Sequence, residues 1–309
     1  MSSLLEVAIE GESEWTQEQL DYSIIASRTS PGDGRFQVRA QAKRPSSLQF
    51  PFNTICFLEI VTAAGQGTGT GTLIAPQVVL TAKHNLMQLP AHPRCRSARA
   101  LGQVRRQVTI TPGADLTAGS PNHRRPAAPA SMTVTGSAFR VSPDLDFGVI
   151  ILPRPFQRPR QFMSLQPRKK QQLATTMTVA GYPCDKRLGT MWAHSEPVEL
   201  RHISPTHLEY TLDTCPGHSG SPLWILGGRG ERILVGVHTT GATTGAGRRC
   251  ENNTGRSRCL RTGATLPAAA VAGTNCGVRI TCDVIRQIRQ WCRAAGVTAP
   301  SVLNAAAGC

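Results

Sequence analysis

The chain predicts an all-β fold closed by a C-terminal helix, with room for two packed barrels. Three observations lead there. Gly 29 and Pro 22 supply the many turns that all-β domains need. Short apolar runs bounded by turn residues recur along the chain, whereas a helical period is weak in residues 1–29 and clear only near the C-terminal end. With 309 residues, 40% hydrophobic and 17% charged, the chain is long enough for two barrels of about a hundred residues each plus extensions. No apolar run approaches the ~20 residues of a membrane span, so no membrane partner is expected.

Residues 1–29 read as an N-terminal extension. It carries Glu6, Glu10, Glu12, Glu14, Glu18 and Asp21, with no basic residue before Arg28. It is either a propeptide laid against a basic body or a disordered acidic tail. A globular domain follows over 30–296. Its first barrel, about 35–153, takes strands at Thr54–Val61, Thr70–Ala75, Val78–Ala82, Val108–Thr111, Met132–Thr135 and Phe147–Leu152. The Pro-, Ala- and Arg-rich stretch 114–130 is a surface loop, and the Pro- and Arg-rich stretch 154–172 crosses between the halves. The second barrel, about 173–281, takes Met177–Gly181, Val198–His202, Leu208–Leu212, Leu223–Leu226 and Ile233–Thr239. A Gly-, Thr- and Arg-rich insertion fills 241–273 and includes the sequon Asn252-Asn253-Thr254. The closing helix spans 282–295. Thr281 caps it, Asp283 lies near its positive end, and Gly296 stops it. Val284, Ile285, Ile288, Trp291, Cys292 and Ala295 form one apolar face. A tail occupies 297–309.

The chemistry concentrates in Asp213-Thr214-Cys215-Pro216-Gly217-His218-Ser219-Gly220-Ser221-Pro222. A serine between glycines is a tight loop that exposes one hydroxyl, or simply a strand-joining turn. As a reactive loop, it lets the N–H groups of Gly217 and Ser219 converge on a developing oxyanion. A serine hydroxyl needs a base. His84 stands at the end of the Val78–Ala82 strand, after the small residues Thr81 and Ala82. A carboxylate must then orient the imidazole. Asp144 and Asp146 are both available, and Asp146 is chosen because it directly precedes the apolar strand. The expected triad is His84, Asp146 and Ser219.

That order and its flanks resemble the chymotrypsin-like serine peptidases, and within them the bacterial V8-like glutamyl endopeptidase branch. Further stretches carry the resemblance: Gly32-Asp33-Gly34-Arg35 with Val38; Gly181-Tyr182-Pro183-Cys184-Asp185-Lys186 with Gly189-Thr190-Met191-Trp192; Gly236-Val237-His238-Thr239; and Gly277-Val278-Arg279-Ile280-Thr281 with Asp283-Val284. Phe147-Gly148 and Ser221 also suit that branch. The ten cysteines depart from its usual low content. The resemblance implies two six-stranded antiparallel barrels and a serine endopeptidase activity; no cofactor is expected, and no metal, because no pair of cysteines has the Cys-x₂₋₄-Cys spacing of a zinc site. It also implies a pocket whose base holds Asp213 and whose walls hold Thr214 and His238. Thr239, Thr240 and Gly241 would form the edge that pairs with the substrate backbone. In the branch, the threonine hydroxyl and the strand histidine contact a P1 carboxylate, which implies cleavage after Glu or Asp. An acid at Asp213 leaves open a trypsin-like Arg/Lys preference. A catalytically silent homologue acting as a binding module is a further alternative.

Lys+Arg 34 against Asp+Glu 19 gives a net charge of +15. This field attracts acidic protein or peptide substrates. Nucleic acid is not an expected partner, because aromatics are only 5% and no stacking platform or groove helix is visible. An even cysteine count favours disulfides, an oxidising compartment and hence an extracellular location. Cys250 with Cys259 suggests a local loop, and Cys215 a tie from the pocket wall to a downstream loop. Met1 to about Leu20 lacks the basic start and apolar core of a signal peptide. The protein is expected to act as a monomer.

Overall fold

The structure is a computed structural model, and it describes residues 33–39, 46–62, 65–87, 107–116, 130–173, 175–198, 202–240, 275–298 and 309. The extension 1–29, most of the 114–130 loop, the 241–273 insertion with its sequon, and most of the 297–309 tail lie outside them.

Two curled antiparallel sheets carry the chain. Strands β1 (Phe36–Val38), β2 (Ile55–Thr62), β3 (Gly65–Ala75), β4 (Val78–Thr81), β5 (Gln107–Pro112), β6 (Met132–Thr135), β7 (Phe139–Val141) and β8 (Gly148–Ile151) come from the first half. The second half supplies β9 (Ser164–Leu165), β10 (Thr176–Gly181), β11 (Met191–Pro197), β12 (His202–Ile203), β13 (His207–Tyr210), β14 (Pro222–Leu226), β15 (Arg232–Thr240) and β16 (Asn275–Arg279). The helices are α1 (Lys83–Leu86), α2 (Lys170–Leu173) and α3 (Cys282–Ala294). One sheet runs β6-β5-β2-β3-β4-β8-β7; the other runs β1-β11-β10-β14-β15-β16-β13-β12, with β9 parallel to β15.

The all-β, two-barrel class with a C-terminal helix therefore holds, with seven and nine strands in place of six and six. The first barrel does not begin at residue 35. β1 crosses to the second sheet, pairing Phe36 with Ala193, because Phe36 and Val38 bury fully in the core between the barrels. Of the strand expected at Val198–His202, positions 199–201 lie outside the described residues, Val198 follows the end of β11, and His202 opens the short β12. The larger neighbour β11 carries Ala193, His194, Ser195 and Glu196, which hide it from a hydrophobic pattern.

Strands buried on both faces explain why so many apolar runs are continuous. On β2, Ile55 and Phe57 face the core between the barrels, while Cys56, Leu58 and Ile60 fill the first barrel. On β14, Trp224 faces the shared core while Leu223 and Ile225 fill the second barrel. Trp224 packs edge-on against Phe52 at 6.0 Å, and Phe57 lies 5.2 Å from Tyr182 across the same seam. The amphipathic α3 adds Val284, Ile285, Ile288 and Cys292 to this core, and Trp291 meets Phe147 at 5.6 Å. Thr281 caps α3 by accepting the Val284 N–H, and Gly296 follows at φ 67°.

Cys282 is disulfide-bonded to Cys309, and Cys215 is also in a disulfide. Cys56, Cys276 and Cys292 are buried thiols. They serve as small apolar groups, and burial pushes Cys276 up to about 12.

Trp224→Ala should cost about 3–5 kcal/mol by opening a cavity between the barrels. Urea unfolding should show a lower midpoint with an unchanged slope.

Candidate active site

The site lies at the seam of the two barrels. β4 ends at Thr81, and Ala82 leads in extended conformation into the short turn α1. His84 on this turn faces Asp146, which precedes β8. The backbone N–H of His84 donates to Asp146 Oδ1 at 3.0 Å, and its ring Nδ1 lies 2.8 Å from Oδ2. A carboxylate can only accept, so Nδ1 carries the ring proton and Nε2 is left as a base. Asp146 is buried, whereas Asp144, the other acid considered, is exposed.

Ser219 is half-buried in the turn between β13 and β14. Its carbonyl accepts the Thr70 N–H at 2.9 Å and the Asn85 side-chain amide at 2.7 Å. Asn85 directly follows His84, so the residue beside the imidazole holds the backbone of the serine. Thr81 Oγ1 accepts from Asn85 and donates to the Thr70 carbonyl, closing the network. Sequence reasoning missed Thr70 and Asn85; their only signal was adjacency to the Gly-Thr strand and to His84.

Two glycines shape the loop. Gly217 and Gly220 have φ of 100° and 90°, in the left-handed region that favours glycine. A Cβ at Gly217 would strike the Tyr182 carbonyl, and one at Gly220 would strike the Thr70 carbonyl. Thr70 Oγ1 donates to the Gly217 carbonyl at 2.8 Å, and Gly220 N–H donates to the His238 carbonyl at 2.7 Å. Among the described residues, the N–H groups of Gly217 and Ser219 donate to no acceptor. His218 between them is fully buried, and its N–H donates to the Cys215 carbonyl. Burial, reinforced by the Arg35 charge, lowers its pKa to about 4.

The expected pocket residues separate into two groups. The Asp213 carboxylate accepts the Gly34 N–H at 2.7 Å, and its own N–H donates to His194 Nδ1. It is thus engaged by the N-terminal segment. Thr214 Oγ1 is buried and has no hydrogen-bond partner among the described residues. His238 is buried on β15, with Nδ1 hydrogen-bonded to the Tyr210 hydroxyl. Burial, together with the neighbouring His218 and His84, holds its pKa well below the ordinary histidine range. Thr239 Oγ1 donates to the Cys276 carbonyl, and Thr240 is half-buried at the end of β15. Gly241 lies outside the described residues.

A polar cluster missed by sequence reasoning fastens the segment before β1. Buried Arg35 forks onto Asp33 and Asp185, reaching Asp185 at 3.0 and 2.6 Å. Lys186 also reaches Asp33 at 2.8 Å and lies 4.4 Å from the Trp192 ring. Burial opposes the charge on Asp33, but the hydrogen bonds from Arg35 and Lys186 outweigh it and hold the carboxyl well below the usual range.

A histidine–carboxylate pair on one barrel, laced to a glycine-bounded serine turn on the other, is the arrangement of a chymotrypsin-like fold. The Trypsin family model matches residues 56–255, well over half of the chain, and the chain belongs to that family. It is 26% identical over 209 residues to the glutamyl endopeptidase of Bacillus licheniformis, covering 64% of this chain and 59% of that protein. It is 24% identical over 202 residues to the glutamyl endopeptidase of Staphylococcus epidermidis, covering 63% and 62%. These relatives bear out the resemblance to the V8-like branch. The chain spans about three-fifths of the length of these curated relatives. A solved structure, a Glu endopeptidase in complex with MPD, shares the fold: TM-score 0.53, 23% identity, 85% of this chain and 98% of that one.

Because the folded pKa of Asp33 is depressed, its stabilisation is complete above the unfolded carboxylate value and fades as pH falls below it. Asp33→Asn should therefore cost about 1–2 kcal/mol at neutral pH after allowance for solvent screening. Thermal melts should show this gap narrowing in strong acid.

Proposed function

We propose that this protein is a serine endopeptidase acting on protein or peptide substrates through His84, Asp146 and Ser219, with cleavage after Glu or Asp. The observation that carries the activity is the double grip of Asp146 on His84, joined through Asn85 to the Ser219 backbone. In this reading, His84 Nε2 takes the proton of Ser219 as its oxygen attacks the scissile carbonyl. The N–H groups of Gly217 and Ser219 receive the oxyanion. His84 then protonates the leaving amine, and water hydrolyses the acyl-enzyme by the same route. No metal or cofactor takes part in this scheme.

The acidic preference rests on a different observation. The buried hydroxyl of Thr214 lacks a partner among the described residues, and a substrate carboxylate would satisfy it together with His238. The Arg/Lys alternative needs a free carboxylate at the pocket base. The Gly34 N–H on Asp213 weighs against it. The net charge of +15 adds long-range attraction for acidic chains. The Cys282–Cys309 disulfide supports an oxidising, extracellular setting.

Ser219→Ala should lower peptide hydrolysis by on the order of a millionfold while leaving the melting curve unchanged. It should also abolish covalent labelling by a fluorophosphonate. Wild-type turnover by this variant would remove the mechanism. Mass-spectrometric mapping of cuts in a denatured protein mixture should place Glu or Asp before the cleaved bond. Thr214→Val should weaken that preference by roughly tenfold or more; cuts after Arg or Lys would refute the pocket reading.

A further inference from the structure

Tyr210 ends β13 with its side chain buried, and its hydroxyl meets Nδ1 of buried His238. The two rings sit edge-on at 6.1 Å. Among the described residues, the Tyr210 hydroxyl has no other partner, and Nε2 of His238 has none at all. The direction of the bond follows from burial. If Nδ1 carried the proton, the tyrosine oxygen would accept it and the phenol O–H would be left buried without an acceptor. That costs the full desolvation of the donor. The arrangement that pairs every group has the Tyr210 O–H donating to Nδ1, with the ring proton on Nε2.

The surroundings hold the ring neutral. His218 from the serine turn faces it edge-on at 6.4 Å, and His84 acts on it from the first barrel. Cys276 on β16 lies beyond Tyr210, and the carboxylates of Glu209 and Asp146 act on that thiol. Burial is the largest effect on His238 and disfavours its charged form.

We propose that Tyr210 is a positioning residue: its hydroxyl locks His238 in the Nε2–H tautomer, so that the pocket offers a P1 carboxylate a neutral, fixed donor rather than an imidazolium. The inference rests on the Glu/Asp reading of the pocket for its consequence, but the tautomer itself is independent of substrate. An imidazolium would need the Tyr210 oxygen to accept from Nδ1, stranding the phenol proton, so the lock also resists protonation on acidification.

Two measurements on the full chain test this. Tyr210→Phe keeps the ring and removes the hydroxyl. For a Glu-P1 peptide, KM should rise roughly tenfold with kcat within about twofold. The variant's kcat/KM should also gain a rise towards acid pH that the wild type lacks, because Nδ1 becomes free to protonate. A merely packing role would leave the pH profile as it was. Wild-type KM and pH profile in Tyr210→Phe would overturn the proposal. The second measurement is ¹⁵N NMR of histidine-labelled protein, with His238 assigned by His238→Gln, and it decides the case even where Tyr210→Phe fails to fold. The Nε2–H tautomer should persist from about pH 8 to about pH 5. An Nδ1–H tautomer, or an imidazolium near pH 6, would overturn the proposal. The Nε2–H tautomer in an enzyme that does not cut after acidic residues would uphold the lock and reject the Glu/Asp reading instead.

Discussion

The carbonyl of Ser219 is the point on which the site depends. It takes two hydrogen bonds from the first barrel, one from the Thr70 backbone and one from Asn85. Both come from elements whose positions are set by the core between the barrels, where Phe57, Tyr182 and Trp224 pack. The carboxylate–imidazole pair belongs to one barrel and the serine turn to the other. A reacting geometry tolerates displacements of well under an ångström or so before rate suffers. Direct bonds across the seam remove the freedom of the barrels to slide at the place where sliding would matter most.

Thr70 shows how economically this is done. Its N–H holds Ser219, its hydroxyl donates to Gly217 while accepting from the Tyr182 N–H, and its carbonyl takes the Thr81 hydroxyl. One buried residue thereby orders the serine turn, the segment after β10 and the strand that leads to His84. The glycines at 217 and 220 permit this closeness, since any side chain would collide with the carbonyls beneath it.

The polar groups around the pocket are paired by the same logic. Asp213 is engaged by Gly34 and His194, and Arg35 is neutralised by Asp33 and Asp185. These contacts place the segment before β1 against the second barrel. The Thr214 hydroxyl and His238 Nε2, like the buried His218 Nε2 and Ser221 hydroxyl nearby, are polar groups with no described hydrogen-bond partner. In the proposed pocket, such groups would favour a ligand that brings its own acceptors.

Much of this was legible in the chain itself. Apolar runs between turn residues marked most strands to within a few positions, because a strand buried on both faces must be apolar throughout. The period of α3 and its Thr281 cap were equally plain, since a helix records its own geometry locally. His84, Asp146 and Ser219 could be singled out because each sits at a strand end or a glycine turn, and the two acids differed by which one adjoined the apolar strand. What the chain alone did not reveal are the relations between distant segments: β1 crossing to the far sheet, β11 hidden among polar residues, Asn85 reaching Ser219, Tyr210 meeting His238 and Arg35 meeting Asp185. Local patterns report which way a residue's own element turns, whereas these partnerships arise only when the two barrels close and buried donors meet acceptors from whatever segment lies opposite.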